Sequence, residues 1–196
     1  MSRPIATIDT SVLVSLQSAE LLGKVSVLFE RILVPAKVRE DLERGGQASR
    51  PVLKAIDEFA IFEPCNDYDR ALVKLLLDTR EHLKEGRDEG EAEAVIQAAE
   101  RSASVVLVDD ALGREWALDH ATACHGTIWV CRELRHRGYL TELRPYFVRM
   151  IQRGRYQPLK EMNSFLQEFG EASITDQEYR EYTSRPGYNT INSTPQ

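Results

Sequence analysis

The fold of this chain is indicated most clearly by residues 5–9, Ile5-Ala6-Thr7-Ile8-Asp9, a short apolar run that ends in an aspartate. A second run of this kind, Val105-Val106-Leu107-Val108, ends in Asp109-Asp110 about a hundred residues later. In an open α/β sheet, ligands bind in the crevice beyond the carboxyl ends of parallel strands. Carboxylates that two such strands deliver there repel each other unless a hard cation joins them. The pattern therefore predicts a Mg²⁺ or Mn²⁺ site.

Further apolar runs alternate with helical patterns along the chain. We predict strands at residues 4–8, 32–34, 61–63, 105–108 and 123–126. We predict helices at 11–32 (interrupted near Gly23), from Pro35 onward, and at 51–60, 66–85, 91–103, 111–121, 127–137 and 141–153. This alternation favours an α/β fold with a central, mostly parallel sheet between two layers of helices.

The predicted α/β/α domain spans residues 1–155, and residues 156–196 form a C-terminal extension. The extension is expected to be partly helical, with one or two helices in 159–183, and then disordered from Ser184, where Ser, Thr, Asn and Pro dominate. No apolar run approaches the ~18 residues that a membrane span requires, so no membrane partner is expected. The N-terminus lacks the layout of a signal peptide, which makes the cytoplasm the expected location.

The net charge of −6 is unevenly distributed along the chain. Residues 127–160 hold eight Lys and Arg against two Asp and Glu, whereas residues 161–196 hold two against six. A basic segment beside an acidic pocket is one arrangement that binds a phosphate backbone while carboxylates hold a metal ion. A solvated, Arg-rich helix explains the same composition equally well.

The candidate site consists of four groups of acids, each at a strand end or a helix beginning. They are Asp9, the pair Glu40 and Asp41, the pair Glu91 and Glu93, and the pair Asp109 and Asp110. Each has a structural alternative, because acids in the first turn of a helix stabilise its dipole by ~0.3–1 kcal/mol. Asp9 is the hardest to explain in this way, since a carboxylate near the centre of a sheet edge is costly to desolvate without a partner.

Several motifs of the chain occur in an order that resembles the PIN-domain ribonucleases, over roughly residues 4–155. The motifs are Asp9-Thr10-Ser11-Val12-Leu13, Val34-Pro35-x-x-Val38-x-x-Asp41-Leu42, Asp88-x-Gly90-Glu91-x-Glu93-Ala94-Val95-Ile96, Leu107-Val108-Asp109-Asp110-x-x-Gly113-Arg114-x-x-Ala117, and Gly126-Thr127 followed by Gly138-Tyr139-Leu140. The Gly-Glu and Asp-Asp motifs are similar to those of one PIN subgroup. In this family the second acid is usually Glu, whereas this chain has Asp41 with Glu40 just before it.

The resemblance implies a three-layer PIN-like fold and a metal-dependent endoribonuclease, most often the toxin of a VapBC-type toxin–antitoxin pair. RNA would be the substrate, a small antitoxin protein the partner, and a homodimer is a further expectation. The implied catalytic acids are Asp9, Asp41, Glu91 or Glu93, and Asp110. Mg²⁺ or Mn²⁺ would be bound by Asp9, Asp109, Asp110 and Glu91, and the substrate by Thr10, Ser11 and Arg114.

Two other functions are compatible with parts of the sequence. The first is a catalytically inactive PIN-like module that binds RNA or protein, which the Asp41 departure and the long extension suggest. The second is an aspartate-nucleophile phosphotransferase of the haloacid dehalogenase type, because Asp9-Thr10-Ser11-Val12 follows a first strand. That family requires a second Asp where this chain has Ser11, so the sequence favours it least.

Overall fold

The computed structural model of the protein describes residues 3–79, 88–120, 122–155 and 157–184. Five strands lie in these ranges: β1 (Ile5–Ile8), β2 (Arg31–Pro35), β3 (Phe62–Cys65), β4 (Val105–Leu107) and β5 (Ala123–His125). They form one sheet in the order β3-β2-β1-β4-β5, and each neighbouring pair is parallel. The predicted parallel sheet is confirmed.

Ten α-helices in the same ranges connect and flank the strands. They are α1 (Thr10–Ser18), α2 (Ala36–Arg44), α3 (Arg50–Glu58), α4 (Arg70–Asp78), α5 (Glu89–Glu100), α6 (Ala111–Asp119), α7 (Thr127–His136), α8 (Arg144–Gln152), α9 (Leu159–Glu168) and α10 (Asp176–Thr183). None of the helices in the described part of the chain is long and apolar enough to cross a membrane.

Two apolar clusters, one on each face of the sheet, make the fold three-layered. In β4, Val105 and Leu107 join the cluster that contains α1, α7 and α8 side chains, while Val106 joins the cluster beneath α5 and α6. Successive residues of a strand point to opposite faces, so a run that is apolar at every position is buried on both sides. The predicted α/β/α layering is confirmed.

The order of the strands places the site. From the central β1 the chain moves outward to β2 and β3, then returns to β4 on the other side of β1. This reversal leaves a crevice at the carboxyl ends of β1 and β4. Asp9 and Asp109 both lie there, and the backbone N–H of Asp9 donates to the carbonyl of Leu107 at 3.0 Å.

The largest difference from the predicted elements lies in residues 11–32. Helix α1 ends at Ser18, Glu20 adopts a positive φ of 61°, and a 3-10 helix spans Leu22–Val27. Leu21, Val25 and Phe29 are nonetheless buried, so their apolar spacing reflects packing in the core and not one continuous helix. Helix α4 begins later than the helix predicted at 66–85, because Asp69 caps its start. Residues 80–85 of the predicted helix fall outside the described residues.

Of the eight Lys and Arg residues at 127–160, three pair with acids of the C-terminal extension, and Arg149 and Arg153 pair with Glu20. Ion pairs join α7 and α8 to α9, α10 and the loop between them: Arg132 with Glu168 (2.7 Å), Arg135 with Glu171 (3.7 Å) and Arg144 with Glu178 (2.6 Å). Met162 and Leu166 of α9 are also fully buried in the main apolar cluster. Much of the charge asymmetry along the sequence is therefore internal to the fold.

The division of the chain at residue 155 stays a prediction. Two helices, α9 and α10, lie where one or two were expected. The predicted disorder from Ser184 concerns residues that, beyond Ser184 itself, fall outside the described ranges.

Candidate metal centre at the carboxyl edge of the sheet

Asp9 lies at the centre of the site, between the end of β1 and the start of α1. Its Oδ2 accepts hydrogen bonds from the backbone N–H (2.9 Å) and the hydroxyl (2.6 Å) of Ser11, as expected for the N-cap of a helix. Only 4% of the residue is exposed. Burial raises the pKa of Asp9 above its ordinary 3.8; the bonds from Ser11 act in the opposite direction, and the charge of Asp109 adds to the rise.

Asp109 follows β4, and its carboxylate accepts hydrogen bonds from three donor groups of two residues. Oδ1 accepts from the backbone N–H of Thr127 at 2.7 Å, and Oδ2 accepts from the Thr127 hydroxyl at 2.6 Å. The amide Nε2 of Gln157 also donates to Oδ2, at 3.3 Å. The fully buried Thr127 was not predicted as a site residue, although the Gly126-Thr127 motif marked its position.

Asp110 occupies a more exposed position than its neighbour. Its Oδ1 accepts from the backbone N–H of Leu112 at 2.8 Å and so caps α6. The residue is exposed, whereas Asp109 is half-buried. Of the two adjacent aspartates, Asp109 therefore faces the interior of the crevice and Asp110 lies at its rim.

A cavity of about 220 Å³ lies beside Asp109 and Asp110. It is lined by Ser11, Glu91, Asp109, Asp110, Arg114, Gln157 and Pro158. Five of these seven residues were predicted from the sequence to bind metal or substrate. Gln157 and Pro158 were not, since they belong to the C-terminal extension and no sequence pattern connects them to the site.

Glu91 and Glu93, the two candidates for the third catalytic acid, have different surroundings. Glu91 lines the cavity, in the first turn of α5. Glu93 is buried, and its Oε2 accepts from the backbone N–H of Lys37 at 2.8 Å, which caps the start of α2. Burial raises the pKa of Glu93 above its usual range.

Asp41 lies on the other side of Asp9 from Asp109. A Cβ placed on Gly90 would lie 3.4 Å from Oδ1 of Asp9 and 3.9 Å from Oδ2 of Asp41, so both carboxylates flank this glycine. Lys37 pairs with Asp41 at 3.2 Å. Burial raises the pKa of Asp41, and Lys37 opposes that rise. The neighbouring Glu40 is about half exposed and pairs with Arg44.

The three predicted substrate-binding residues also lie at this edge. Ser11 and Arg114 both line the cavity. The Thr10 hydroxyl is buried and has no hydrogen-bond partner among the described residues. A guanidinium nitrogen of Arg114 and Oδ1 of Asp109 each lie 2.6 Å from the position that a Cβ on Gly126 would take, so the two side chains are neighbours.

The donor set fits a hard divalent cation. It consists of carboxylate oxygens, and two of the carboxylates, Asp9 and Asp109, are close enough for the charge of one to raise the pKa of the other. Within the described residues, no three His, Cys, Asp or Glu side chains are already grouped as metal ligands. Mg²⁺ is usually bound through one or two carboxylates and keeps several waters, so a pair of carboxylates suffices.

Gly126 offers a test of the geometry without removal of any acid. In Gly126→Ala the new Cβ would lie 2.6 Å from Oδ1 of Asp109 and must displace it. We expect Mn²⁺ affinity, measured by isothermal titration calorimetry, to fall by about 10-fold, because a displaced ligand binds less well. Gly23→Ala, whose Cβ meets only the Phe59 ring at an ordinary 3.4 Å, is the matched control. Equal affinities for both variants and the wild type would contradict the placement of Asp109.

Comparison with known proteins gives one match. A family model for the PIN domain (DUF3368) matches residues 5–171. Searches of curated proteins and of solved structures give no significant match. The matched region covers all five strands and continues through α9.

Proposed function

The chain belongs to the PIN-domain family, and on that premise we propose that it is a Mg²⁺- or Mn²⁺-dependent endoribonuclease. PIN domains are generally nucleases, that is, hydrolases of phosphodiester bonds. The observation that carries the proposal is the juxtaposition of Asp9 and Asp109 at the switch point of the sheet. A structural role alone does not explain a nearly buried carboxylate placed close to a second one, since that arrangement is costly without a cation.

In the proposed site, Asp9 and Asp109 bind the ion directly, and Asp110, Glu91 and Asp41 contribute at its periphery, through water where they do not reach it. The ion, when bound, activates water and stabilises the charge that develops on the phosphate oxygens. Ser11 orients Asp9 through its two hydrogen bonds, which favour the ionised form of the carboxylate. Lys37 holds Asp41 in place.

The remaining residues act on the RNA and on the attacking water. Arg114, at the wall of the cavity, binds a phosphate through its guanidinium group. Glu91 lines the cavity, and its carboxylate accepts the proton of the attacking water. As the water oxygen bonds to phosphorus, the P–O bond to the leaving ribose oxygen breaks, and solvent water protonates that oxygen. Glu93 supports α2 and takes no part in the reaction.

The proposal is tested by cleavage of single-stranded and structured RNA by the purified protein. We expect cleavage with Mn²⁺ or Mg²⁺, complete loss with EDTA, and recovery when Mn²⁺ is added back. Catalysis that survives EDTA would contradict the metal-dependent mechanism. A wild-type protein that cleaves no RNA with either ion, after removal of any bound inhibitor, would contradict the nuclease proposal itself.

We further propose that the protein is a VapC-like toxin that a small antitoxin protein inhibits, acts on cytoplasmic RNA, and forms a homodimer. The support is the family and the order of the Gly-Glu and Asp-Asp motifs. Induced expression should arrest growth, and co-expression of a small protein encoded directly upstream should relieve the arrest. Growth unaffected by an active enzyme would contradict the toxin role but not the nuclease activity.

A catalytically inactive module that binds RNA or protein is the second candidate. It is favoured by the engagement of two predicted acids in structural contacts, Asp41 with Lys37 and Glu93 with the start of α2. Calorimetry separates the two functions. An active nuclease gives a Mn²⁺ binding heat that is lost in Asp9→Asn, whereas an inactive module without the metal site gives no such heat.

A further inference from the structure

Gln157 is a side chain of the C-terminal extension that reaches the metal centre. The residue is 2% exposed, and its amide Nε2 donates to Oδ2 of Asp109 at 3.3 Å and contacts the Ser15 hydroxyl at 3.4 Å. We propose that Gln157 is a positioning residue for Asp109, so that the segment between α8 and α9 completes the catalytic site. This inference rests on the proposed metal-dependent function.

The main chain at Gln157 is held in place by α10. The Tyr179 hydroxyl donates to the carbonyl of Gln157 at 3.2 Å. Helix α10 is in turn fixed to α8 by the ion pair between Arg144 and Glu178. A side chain whose backbone is anchored in this way loses little further freedom when its amide orients a carboxylate, which makes it suited to a positioning role.

Glu171 anchors the extension at a second point. Both of its carboxylate oxygens accept from the backbone N–H of Leu143, at 2.8 and 2.9 Å, and one also accepts from that of Arg144 at 2.8 Å. These bonds cap the start of α8. The segment that carries Gln157 is therefore joined to the body of the fold through side chains on both sides of α9.

The chemistry of an amide suits this position. Gln157 and Thr127 are neutral donors, so they fix the orientation of Asp109 without cancelling its charge. A lysine or arginine at the same position would neutralise the carboxylate and compete with a divalent ion. Residues that orient a metal ligand change metal affinity or activity by about 10- to 100-fold when they are replaced.

The test compares Gln157→Ala and Gln157→Leu with the wild type. The leucine variant removes the amide but keeps most of the side-chain volume, and so separates the hydrogen bond from packing. We expect both variants to bind Mn²⁺ about 10-fold more weakly by calorimetry. We also expect a lower kcat at saturating Mn²⁺ with the KM for RNA nearly unchanged, because Gln157 orients a ligand and does not bind the substrate.

Gln167→Ala is the matched control, since Gln167 is an exposed residue of α9 in the same extension and its side-chain amide donates to the Ser173 hydroxyl, at 3.4 Å. We expect this variant to match the wild type. Tyr179→Phe, which removes the bond to the carbonyl of Gln157, should weaken Mn²⁺ binding by less than either Gln157 variant does.

The possible results separate this inference from the proposed function. If the wild type cleaves RNA and both Gln157 variants bind Mn²⁺ and turn over as it does, with only the melting temperature lowered, the positioning role is overturned. If the wild type binds Mn²⁺ and the variants bind it more weakly, the inference stands even when no RNA is cleaved, and only the nuclease proposal fails. A wild-type protein without Mn²⁺ affinity overturns the inference as well.

Discussion

Asp9→Asn is expected to lower the rate of RNA cleavage by at least about 100-fold while the protein remains folded. The amide removes the charge that a divalent ion requires at the centre of the site. Asparagine is as good an N-cap as aspartate, so its oxygen can still accept the bonds from Ser11 that begin α1. Cleavage of a labelled RNA under single-turnover conditions measures the effect.

Asp69→Asn is the matched control for this substitution. Asp69 is also an N-cap aspartate, accepting from the backbone N–H of Ala71 at 2.7 Å, but it caps α4 outside the metal centre. It should retain wild-type activity. Comparable losses in Asp9→Asn and Asp69→Asn would show that the first effect is structural and not catalytic.

The same variant should alter the pH dependence of stability. Burial raises the pKa of Asp9 above 3.8, so the folded protein holds this proton more tightly than the unfolded chain does. The free energy of unfolding of the wild type, relative to Asp9→Asn, therefore falls as the pH rises from about 3.8 through the folded pKa. At pH 7 without metal, the variant should melt at the same temperature as the wild type or higher.

Mn²⁺ should raise the melting temperature of the wild type alone. A wild type that gains stability over Asp9→Asn as the pH rises would contradict this account.

Asp109→Asn is expected to weaken Mn²⁺ binding by about 10- to 100-fold, and Asp110→Asn by only a few-fold. Asp109 is half-buried, is oriented by Thr127 and raises the pKa of Asp9, whereas Asp110 is exposed and caps α6. Calorimetric titration of the two variants with Mn²⁺ gives the comparison. The adjacent positions serve as controls for each other, because both substitutions replace an aspartate with the isosteric amide.

A carboxyl-carbon NMR titration adds a readout that does not depend on metal. Because the charge of Asp109 contributes to the raised pKa of Asp9, Asp109→Asn should lower the pKa of Asp9. Asp110→Asn should leave it close to its wild-type value. Two results together would reverse the proposed roles of the two residues. They are a large loss of Mn²⁺ affinity in Asp110→Asn alone and an unchanged pKa of Asp9 in Asp109→Asn.

The fold was largely predictable because its signals are local. Runs such as Val105–Val108, which are apolar at every position, indicate strands buried on both faces, and their alternation with helical patterns predicts parallel connections. The end of α1 was not predictable in this way. Leu21 and Leu22 continue the apolar spacing of the helix, but they are buried in a turn and a 3-10 helix that follow it.

That the predicted acids gather at one edge of the sheet was also predictable, but not the surroundings of each acid. Glu91 and Glu93 are two residues apart on one helix, where successive side chains are about 100° apart, so they point to different sides of α5. Which of them faces the crevice depends on how the helix is rotated against the sheet. The choice between Asp109 and Asp110 likewise depends on where β4 ends and α6 begins.

The contact between the extension and the metal centre could not be predicted from the sequence. Gln157 meets Asp109 across 48 positions of the chain, and no periodicity or motif marks that contact. The basic segment gives a similar lesson. Its charges suggested either a phosphate-binding surface or a solvated helix, whereas three of its eight Lys and Arg residues form ion pairs with acids of the extension.

The central claim is that Asp9 and Asp109 share one divalent ion, and crystals grown with Mn²⁺ test it most directly through the anomalous signal of the metal. We expect one strong peak within coordination distance of carboxylate oxygens of both residues, at the Asp109 side of the cavity that Glu91 and Arg114 line. An anomalous map without a peak there, or a cationic side chain joining the two aspartates in its place, would contradict the account.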